Sequence, residues 1–413
     1  MKTRKILNLL MLSLFTTFFL TTTSCKKQMD FDWTDGLTGS QLEELLLKDP
    51  DAVRALINGA YVTLGNSFHL AGGNFHDAGH IMSLQLAGDL MTEDMVQVDF
   101  DWFYFDYEID NNRVNYRRPA HTWRMMYAVI NDIHQAMDLL PSLNSPVMRE
   151  VMGQALALRA FCYHILIQRY QQTYMGNQEA PGVPIILSVW DLEWYGTDGV
   201  ENLTRNTVER VYEIILRDLE LALEYLPERK ETNRSRVDRA VAQGFLARVY
   251  MCMHNWTGAE QMAREARQSF EIMSASDAGG GYGYNSENNS EWMWGIKTTA
   301  ENSMVYVSFQ SHICSDGDGY AGLGSYKAMD MKLYSEIPES DIRKRLHFVD
   351  IPNGRFYNEK FRSVPQWLMD NVYMRSSEML LIEAEAQAQQ GRTAQAFTTM
   401  RELMDKRDHE WSA

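Results

Sequence analysis

The sequence predicts a mostly α fold in which antiparallel helix pairs carry long irregular inserts and a few short strands. Two observations predict it. Apolar residues recur at three- and four-residue steps in segments spread along the chain, whereas the intervals 65–118 and 274–368 collect most of the Gly, Asn and aromatic residues. With 413 residues, 45% of them hydrophobic, the chain can bury a sizeable core. A formal charge of −16 and the lack of a basic stripe argue against a nucleic-acid partner.

The N-terminus, "MKTRKILNLLMLSLFTTFFLTTTSCKK", has Lys2, Arg4 and Lys5 ahead of an apolar run from Ile6 to Leu20. That is an export signal, and the run falls short of the roughly 20 residues a membrane-spanning helix needs. Small residues lead to Cys25, as in a bacterial lipoprotein signal; Ser24 fits that pattern, and Thr22 stands where Leu is usual. Residues 1–24 are read as the signal peptide, Cys25 as the lipid anchor and 25–39 as anchor and tether, the alternative being ordinary secretory cleavage beside an incidental Cys. Acyl chains would hold the domain at a membrane at about 0.8 kcal/mol per buried methylene. No later hydrophobic run reaches spanning length, and Cys162, Cys252 and Cys314 are an odd number without a Cys-x-x-Cys motif, read as buried thiols.

From Ser40 onward a single domain, 40–413, is expected. "SQLEELLLKDPDAVRALINGAYVTLG" opens with a capping box, Ser40 and Glu43, and is broken into two helices at Asp49-Pro50. Helices are expected over Pro119–Leu140 and Asn206–Leu226. Three further segments resemble one another: "QALALRAFCYHILIQRY", "AQGFLARVYMCMHNWTGAEQMAREARQSF" and "SEMLLIEAEAQAQQGRTAQAFTTMRELMDKR". Ala160 and Tyr163 match Ala247 and Tyr250. The last two segments break near Trp256 and Gly391 and resume with small residues, Ala259, Ala263 and Ala266, then Ala394 and Ala396. Small residues on one face let helices approach closely, so both read as antiparallel pairs, resembling tetratricopeptide-like repeats. In the inserts, alternating runs such as "MVYVSF" suggest strands.

These segments, with "LAGDLMTED", "HTWRMMYAVINDIHQAM", the "GVP" turn at Gly182 and "TVERVYEIILRDLELALEYLP", occur in an order that resembles the SusD/RagB-type outer-membrane lipoproteins of Bacteroidetes. The resemblance implies a SusD-like α fold and a surface-exposed, lipid-anchored, non-catalytic protein. Such a protein binds a nutrient, an oligosaccharide first, and delivers it to a SusC-like TonB-dependent transporter. Peptide stays open as a ligand, as does periplasmic display, because Lys26-Lys27 departs from the often acidic export signals of the family. The chain stops at "KRDHEWSA", before a further helical stretch the family ordinarily has, which leaves a truncated C-terminus open.

One stretch stands apart. "VDFDWFYFDYEIDNN", Val98 to Asn112, holds six aromatic rings and five carboxylates in fifteen residues. Pyranose rings have apolar faces that pack on aromatic rings, and their hydroxyls need polar partners to replace water. Trp102, Tyr104 and Tyr107 are therefore candidate stacking residues, with Asp106, Asn111 and Asn112 as hydrogen-bonding groups. In the rival reading the stretch is a strand whose alternate rings, Phe103 and Phe105, are core. In "SHICSDGDGYAGLGSY", His312 and Tyr320 are candidate ligand contacts presented by a flexible loop.

Other chemistries fit less well. Gly317, Gly319 and Gly322 have dinucleotide-loop spacing, but Asp316 and Asp318 would repel a pyrophosphate. As a calcium loop, the same stretch has Tyr320 at position five and Lys327 at position twelve, leaving open only a site completed by distant oxygens. His76 and His80 lie four apart among glycines and are read as surface histidines, without a metal. Asp99, Asp101, Asp106, Glu108 and Asp110 could supply a glycosidase pair only if their geometry allowed it. No cofactor is implied. A helix-repeat scaffold for protein partners and a surface glycoside hydrolase are the competing functions.

Overall fold

The computed structural model describes residues 39–73, 75–113, 116–192, 204–228, 234–280, 282–350 and 355–412. The expected signal peptide, the anchor Cys25 and the tether up to residue 38 lie outside them. Two compact units are distinguished, the first ending at Asp49 and the second beginning at Pro50. In the first, a helix over Gly39–Lys48 stops ahead of the Asp49-Pro50 step, as the backbone restriction before proline requires.

The second unit is built on α1 (Asn58–Gly65), α2 (Arg117–Leu139), α3 (Pro146–Tyr170), α4 (Val208–Tyr225), α5 (Arg239–Cys252), α6 (Trp256–Arg267), α7 (Ser376–Gln389) and α8 (Thr393–Met404). Each packs on the next in this order, so the mostly α architecture expected from the periodicity is present. The starts follow the chemistry of the sequence. Ser145, Thr207, Asp238 and Asn255 each accept a hydrogen bond from a backbone N–H of the first turn of α3, α4, α5 and α6, satisfying donors that have no partner within the helix. Between α7 and α8, Gly391 adopts φ +77°, which a residue without Cβ takes at no steric cost. Ala259, Ala263 and Ala266 of α6 are fully buried, while on α8 Ala396 faces inward with Thr399 and Leu403 and Ala394 is exposed.

The central helix α3 is apolar on nearly every side and is packed against both α2 and α4. In its middle sits a guanidinium. Arg159, 1% exposed, donates to Asp218 of α4 at 2.7 and 2.8 Å and to Asp191 at 2.6 and 3.0 Å, with His134 of α2 at 3.2 Å. One turn on, the Tyr163 hydroxyl donates to the Ile186 carbonyl and accepts from the Ile186 N–H. The Arg-Ala-x-x-Tyr pattern and the segment that follows the Gly-Val-Pro turn are thus two halves of one contact.

The strands form three two-stranded antiparallel ladders: β1 (Met95–Gln97) with β3 (Lys327–Met329), β2 (Trp292–Ile296) with β6 (Asn371–Arg375), and β4 (His347–Asp350) with β5 (Arg355–Asn358). The β1–β3 ladder pairs Met95 with Met329 and Gln97 with Lys327, and so ties the 65–118 insert to the 274–368 insert. The run "MVYVSF" is not a strand: Val305–Val307 forms a 3-10 turn entered at Val305 with φ +48°. Cys162 and Cys314 are buried free thiols and Cys252 is half-buried.

Removing Arg159 strands two buried carboxylates, so Arg159→Met is expected to lower unfolding free energy by about 3–5 kcal/mol. Arg159→Lys should restore little, because a point charge cannot reproduce two forked contacts. Urea unfolding of the three proteins measures both differences.

Candidate functional site

The site begins where β1 ends. Val98 N–H donates to the Tyr326 carbonyl, and Ser325 Oγ donates to the Phe100 carbonyl, so the aromatic stretch leaves the ladder beside the 311–326 segment. Asp101 then turns inward. Fully buried, it contacts the Lys327 ammonium, lies 3.5 Å from His312 Nδ1, and accepts from Phe103 N–H at 2.8 Å. Burial pushes its pKa up, but hydrogen bonding to His312 and the Lys327 charge outweigh that and bring it to about 2. Bound in this way, the chain cannot stay extended. In place of a strand, Tyr104–Tyr107 forms one helical turn.

A second charge pair fixes that turn. Asp106, which is fully buried, accepts from Arg118 at 2.9 and 2.6 Å, and Arg118 also donates to the Asp77 carboxylate at 2.8 Å and to the Asp77 carbonyl at 2.5 Å. Neighbouring Arg117 bonds Asp77 at 2.9 Å and the Trp102 carbonyl at 3.0 Å, and its guanidinium lies 5.0–5.2 Å from the ring centres of Phe75, Trp102 and Phe105. The start of α2 therefore clamps the 75–80 loop and the aromatic turn together.

The result is a cluster of half-buried rings from five separate segments. Trp102 Nε1–H donates to the Tyr320 hydroxyl at 3.0 Å, and that hydroxyl is 2.7 Å from His76 Nδ1. Burial lowers the His76 pKa, which favours the neutral ring, and a neutral Nδ1 lone pair is a ready acceptor for the Tyr320 hydroxyl. Tyr306 lies 4.6 Å from Tyr320 and 6.1 Å from Trp367, centre to centre. Beside them Tyr104 lies 5.4 Å from the exposed Phe100 and 6.3 Å from Tyr107. The backbone that carries two of these rings is unusual: Val305, Gln366 and Trp367 all have positive φ without being glycine.

Trp102 and Tyr320 are thus brought into direct contact, and Tyr104 and Tyr107 share the adjacent turn, all four half-buried. Three expectations need correction. His312 does not face a ligand: at 1% exposure it is stacked on Tyr320 at 4.7 Å, meets Phe103 edge-on at 4.8 Å, and bonds the His76 carbonyl, because it supports the cluster from beneath. Asn111 is 3% exposed, turned inward by the short 3-10 turn Asp110–Asn112. Asp106 is spent on Arg118. The side chain of Asn112 lies outside the described residues.

The loop holding Tyr320 is stitched down rather than flexible. Ala321 N–H donates to the Ser311 carbonyl and Tyr320 N–H to Ser311 Oγ, and a Cβ on Gly319 would stand 2.4 Å from Ser311 Cα, so only glycine fits there. Asp316 accepts from Ser363 N–H at 2.9 Å, and Lys327, the twelfth position of the calcium-loop reading, is buried on Asp101. His76 and His80 part company, since His80 is buried and caps the helix Ile81–Leu90 by accepting from Met82 N–H. The sequence reading missed His76, Tyr306 and Trp367 as members of the cluster. Their only signal in the sequence is aromatic residues among turn formers in the same two inserts.

Asp101→Asn removes a charge that both Lys327 and His312 face, and is expected to cost about 3–5 kcal/mol at pH 7. The native carboxyl titrates near 2 and an unfolded one at about 3.9. The stabilisation is therefore complete above the unfolded value, and the gap between the two proteins should close as pH falls from about 4 toward 2. Thermal melts across that range measure it.

Residues 74–251 match the family model SusD-like_3, described as starch-binding and associating with the outer membrane. No curated protein matches the sequence. Among solved structures, a SusD-like carbohydrate binding protein from Bacteroides vulgatus is 25% identical with a TM-score of 0.74, over 87% of this chain and 75% of that one. A SusD superfamily protein from Bacteroides thetaiotaomicron is 19% identical with a TM-score of 0.70, over 87% and 81%. Surface glycan-binding protein A from Bacteroides uniformis is 18% identical with a TM-score of 0.63, over 87% and 81%. The helical frame is that of these structures, and residues 74–251 carry the match to the SusD-like family model, so fold and family model both point to the SusD type.

Proposed function

We propose that this protein is a non-catalytic oligosaccharide-binding lipoprotein of the outer membrane, anchored through Cys25, that passes its ligand to a SusC-like TonB-dependent transporter. The observation that carries the reading is the ring cluster of Trp102, Tyr306, Tyr320 and Trp367, held half-exposed by buried charge pairs rather than absorbed into the core. Rings fixed in this way lose little freedom when a sugar face settles on them. Hydroxyl and imidazole groups at their edges supply the polar contacts a saccharide needs. The names of the Bacteroides vulgatus and Bacteroides uniformis proteins point the same way.

The carboxylates favour binding over hydrolysis. Asp77, Asp101 and Asp106 are committed to arginine, lysine or both histidine and lysine, and Asp110 is paired with Arg113. None is a buried, unpaired acid of the kind a glycosidase uses to protonate a leaving group. No helix among the described residues is long and apolar enough to cross a membrane.

Calorimetry with maltoheptaose and a panel of plant and host oligosaccharides tests the reading. At least one should bind, and Trp102→Ala and Trp367→Ala should each weaken it about tenfold, or about 1.4 kcal/mol. Wild-type protein silent across the panel, or both variants binding as tightly as wild type, would sink it. Cys25→Ala should move the protein from the membrane fraction to the soluble fraction, with loss of fatty-acid labelling as the direct readout.

A further inference from the structure

Away from the ring cluster, a cleft of about 740 Å³ opens between the helix Ile81–Leu90, α3, α5, β6 and α7. That volume is within the range of about 300–1,000 Å³ typical of small-molecule sites. Its lining is unusual for so acidic a chain. Arg169, Arg248, Lys360 and Arg375 all reach it, against the single carboxylate of Glu378. Glu378 is already taken by Arg248, at 2.6 and 2.7 Å.

The remaining cations are poorly neutralised. Arg375 lies 3.4 Å from Glu291, whose other oxygen holds Arg407 at 2.6 Å. Among the described residues Arg169 donates to the Leu84 carbonyl and has no ion pair. The Lys360 ammonium has neither hydrogen bond nor ion pair among them; it rests 5.2 Å from the ring centre of Tyr284 and 5.6 Å from that of Phe361. Burial, followed by the nearby Arg375 charge, brings its pKa down to about 8, more than the attraction of Asp89 and Glu291 can offset, the mark of a cation with no anion in contact. Arg169 is shifted downward for the same first reason, partial desolvation, although the residue as a whole stays exposed. A half-buried ammonium and a solvent-facing guanidinium, neither with a contacting counter-ion among the described residues, in a cleft with aromatic and amide walls, form an incomplete site that an anion would complete.

We infer that this cleft is a second ligand site, separate from the ring cluster, that takes a small saccharide bearing a carboxylate or sulfate, with Lys360 and Arg169 facing the anion and Tyr284 and Phe361 lining the ring's place. Acidic sugars fit better than bare anions because most of the volume lies against apolar and neutral polar walls, which a small inorganic ion would leave wet.

The test is calorimetry on the full chain with glucuronate, galacturonate and glucose 6-sulfate, using glucose, acetate and inorganic sulfate as comparators. At least one acidic sugar should bind, tighter than glucose and tighter than the bare anions by tenfold or more. Lys360→Met and Arg169→Gln should each weaken it by tenfold or more, and Lys360→Arg should retain most of it, with thermal melts confirming that all three fold. Saturating maltoheptaose should not displace the acidic sugar, so failure of the ring-cluster reading and failure of this one are told apart. No heat with any acidic sugar overturns the proposal, as does equal affinity for acetate or sulfate, or unchanged binding in both Lys360→Met and Arg169→Gln.

Discussion

The contact on which the ring cluster depends is the fork of Arg118 between two buried carboxylates, Asp77 and Asp106. Each of these three charges would be costly to bury alone, and none can be satisfied until the 75–80 loop, the aromatic turn and the start of α2 have met. The requirement is therefore collective. A partly assembled insert leaves an ion without water and without a partner, so the arrangement forms as a unit or not at all. Asp101 with Lys327 and His312 repeats the device one layer away and joins the same turn to the second insert, alongside the β1–β3 ladder. Rings that would otherwise collapse into the core are thereby held part-way out.

The helical frame uses the same physics differently. Arg159 binds Asp191 and Asp218 within a core that is otherwise apolar, and a hydrophobic replacement of the whole triad could pack there as stably. What the ions add is a single permitted alignment: α3 cannot slide one residue against α4 without separating Arg159 from Asp218. Apolar burial supplies the stability, and the ion groups restrict which of several dense packings is reached. A rigid frame matters because a binding surface on irregular segments inherits its geometry from whatever lies beneath it.

The frame was legible because its signals are local. Apolar spacing of 3.6, the Asp49-Pro50 break and Gly391 after α7 are each read within a few residues, and the structure returns helices close to the expected spans. The inserts were legible only in composition. Alternation in "DWFYFDY" suggested a strand, yet Asp101 and Asp106 are drawn inward by Lys327 and Arg118, and the chain coils between them. Tyr306 was hidden in an alternating run that forms a 3-10 turn instead, and Trp367 in a segment whose backbone is left-handed. His312 looked like a contact residue because its loop is rich in glycine; its burial is decided by Phe103, more than two hundred residues away in sequence. Long-range ion pairs carry no periodicity, which is why the candidate residues were found by type and only partly by position.

The two ligand surfaces differ in how the chain's overall charge of −16 acts on them. A neutral oligosaccharide meets no net field, and its affinity for the ring cluster is set by contact. An acidic sugar is repelled at long range, but screening confines that repulsion to about 8 Å at physiological ionic strength, so it slows approach more than it weakens the bound state. Once the anion is inside the cleft, the groups that decide its energy are those within a few ångströms, Lys360 and Arg169, acting where the local dielectric is lower than in water. Acidity of the surface and cationic character of the cleft are therefore compatible. The first keeps polyanions from adhering at random, and the second selects an anion small enough to enter.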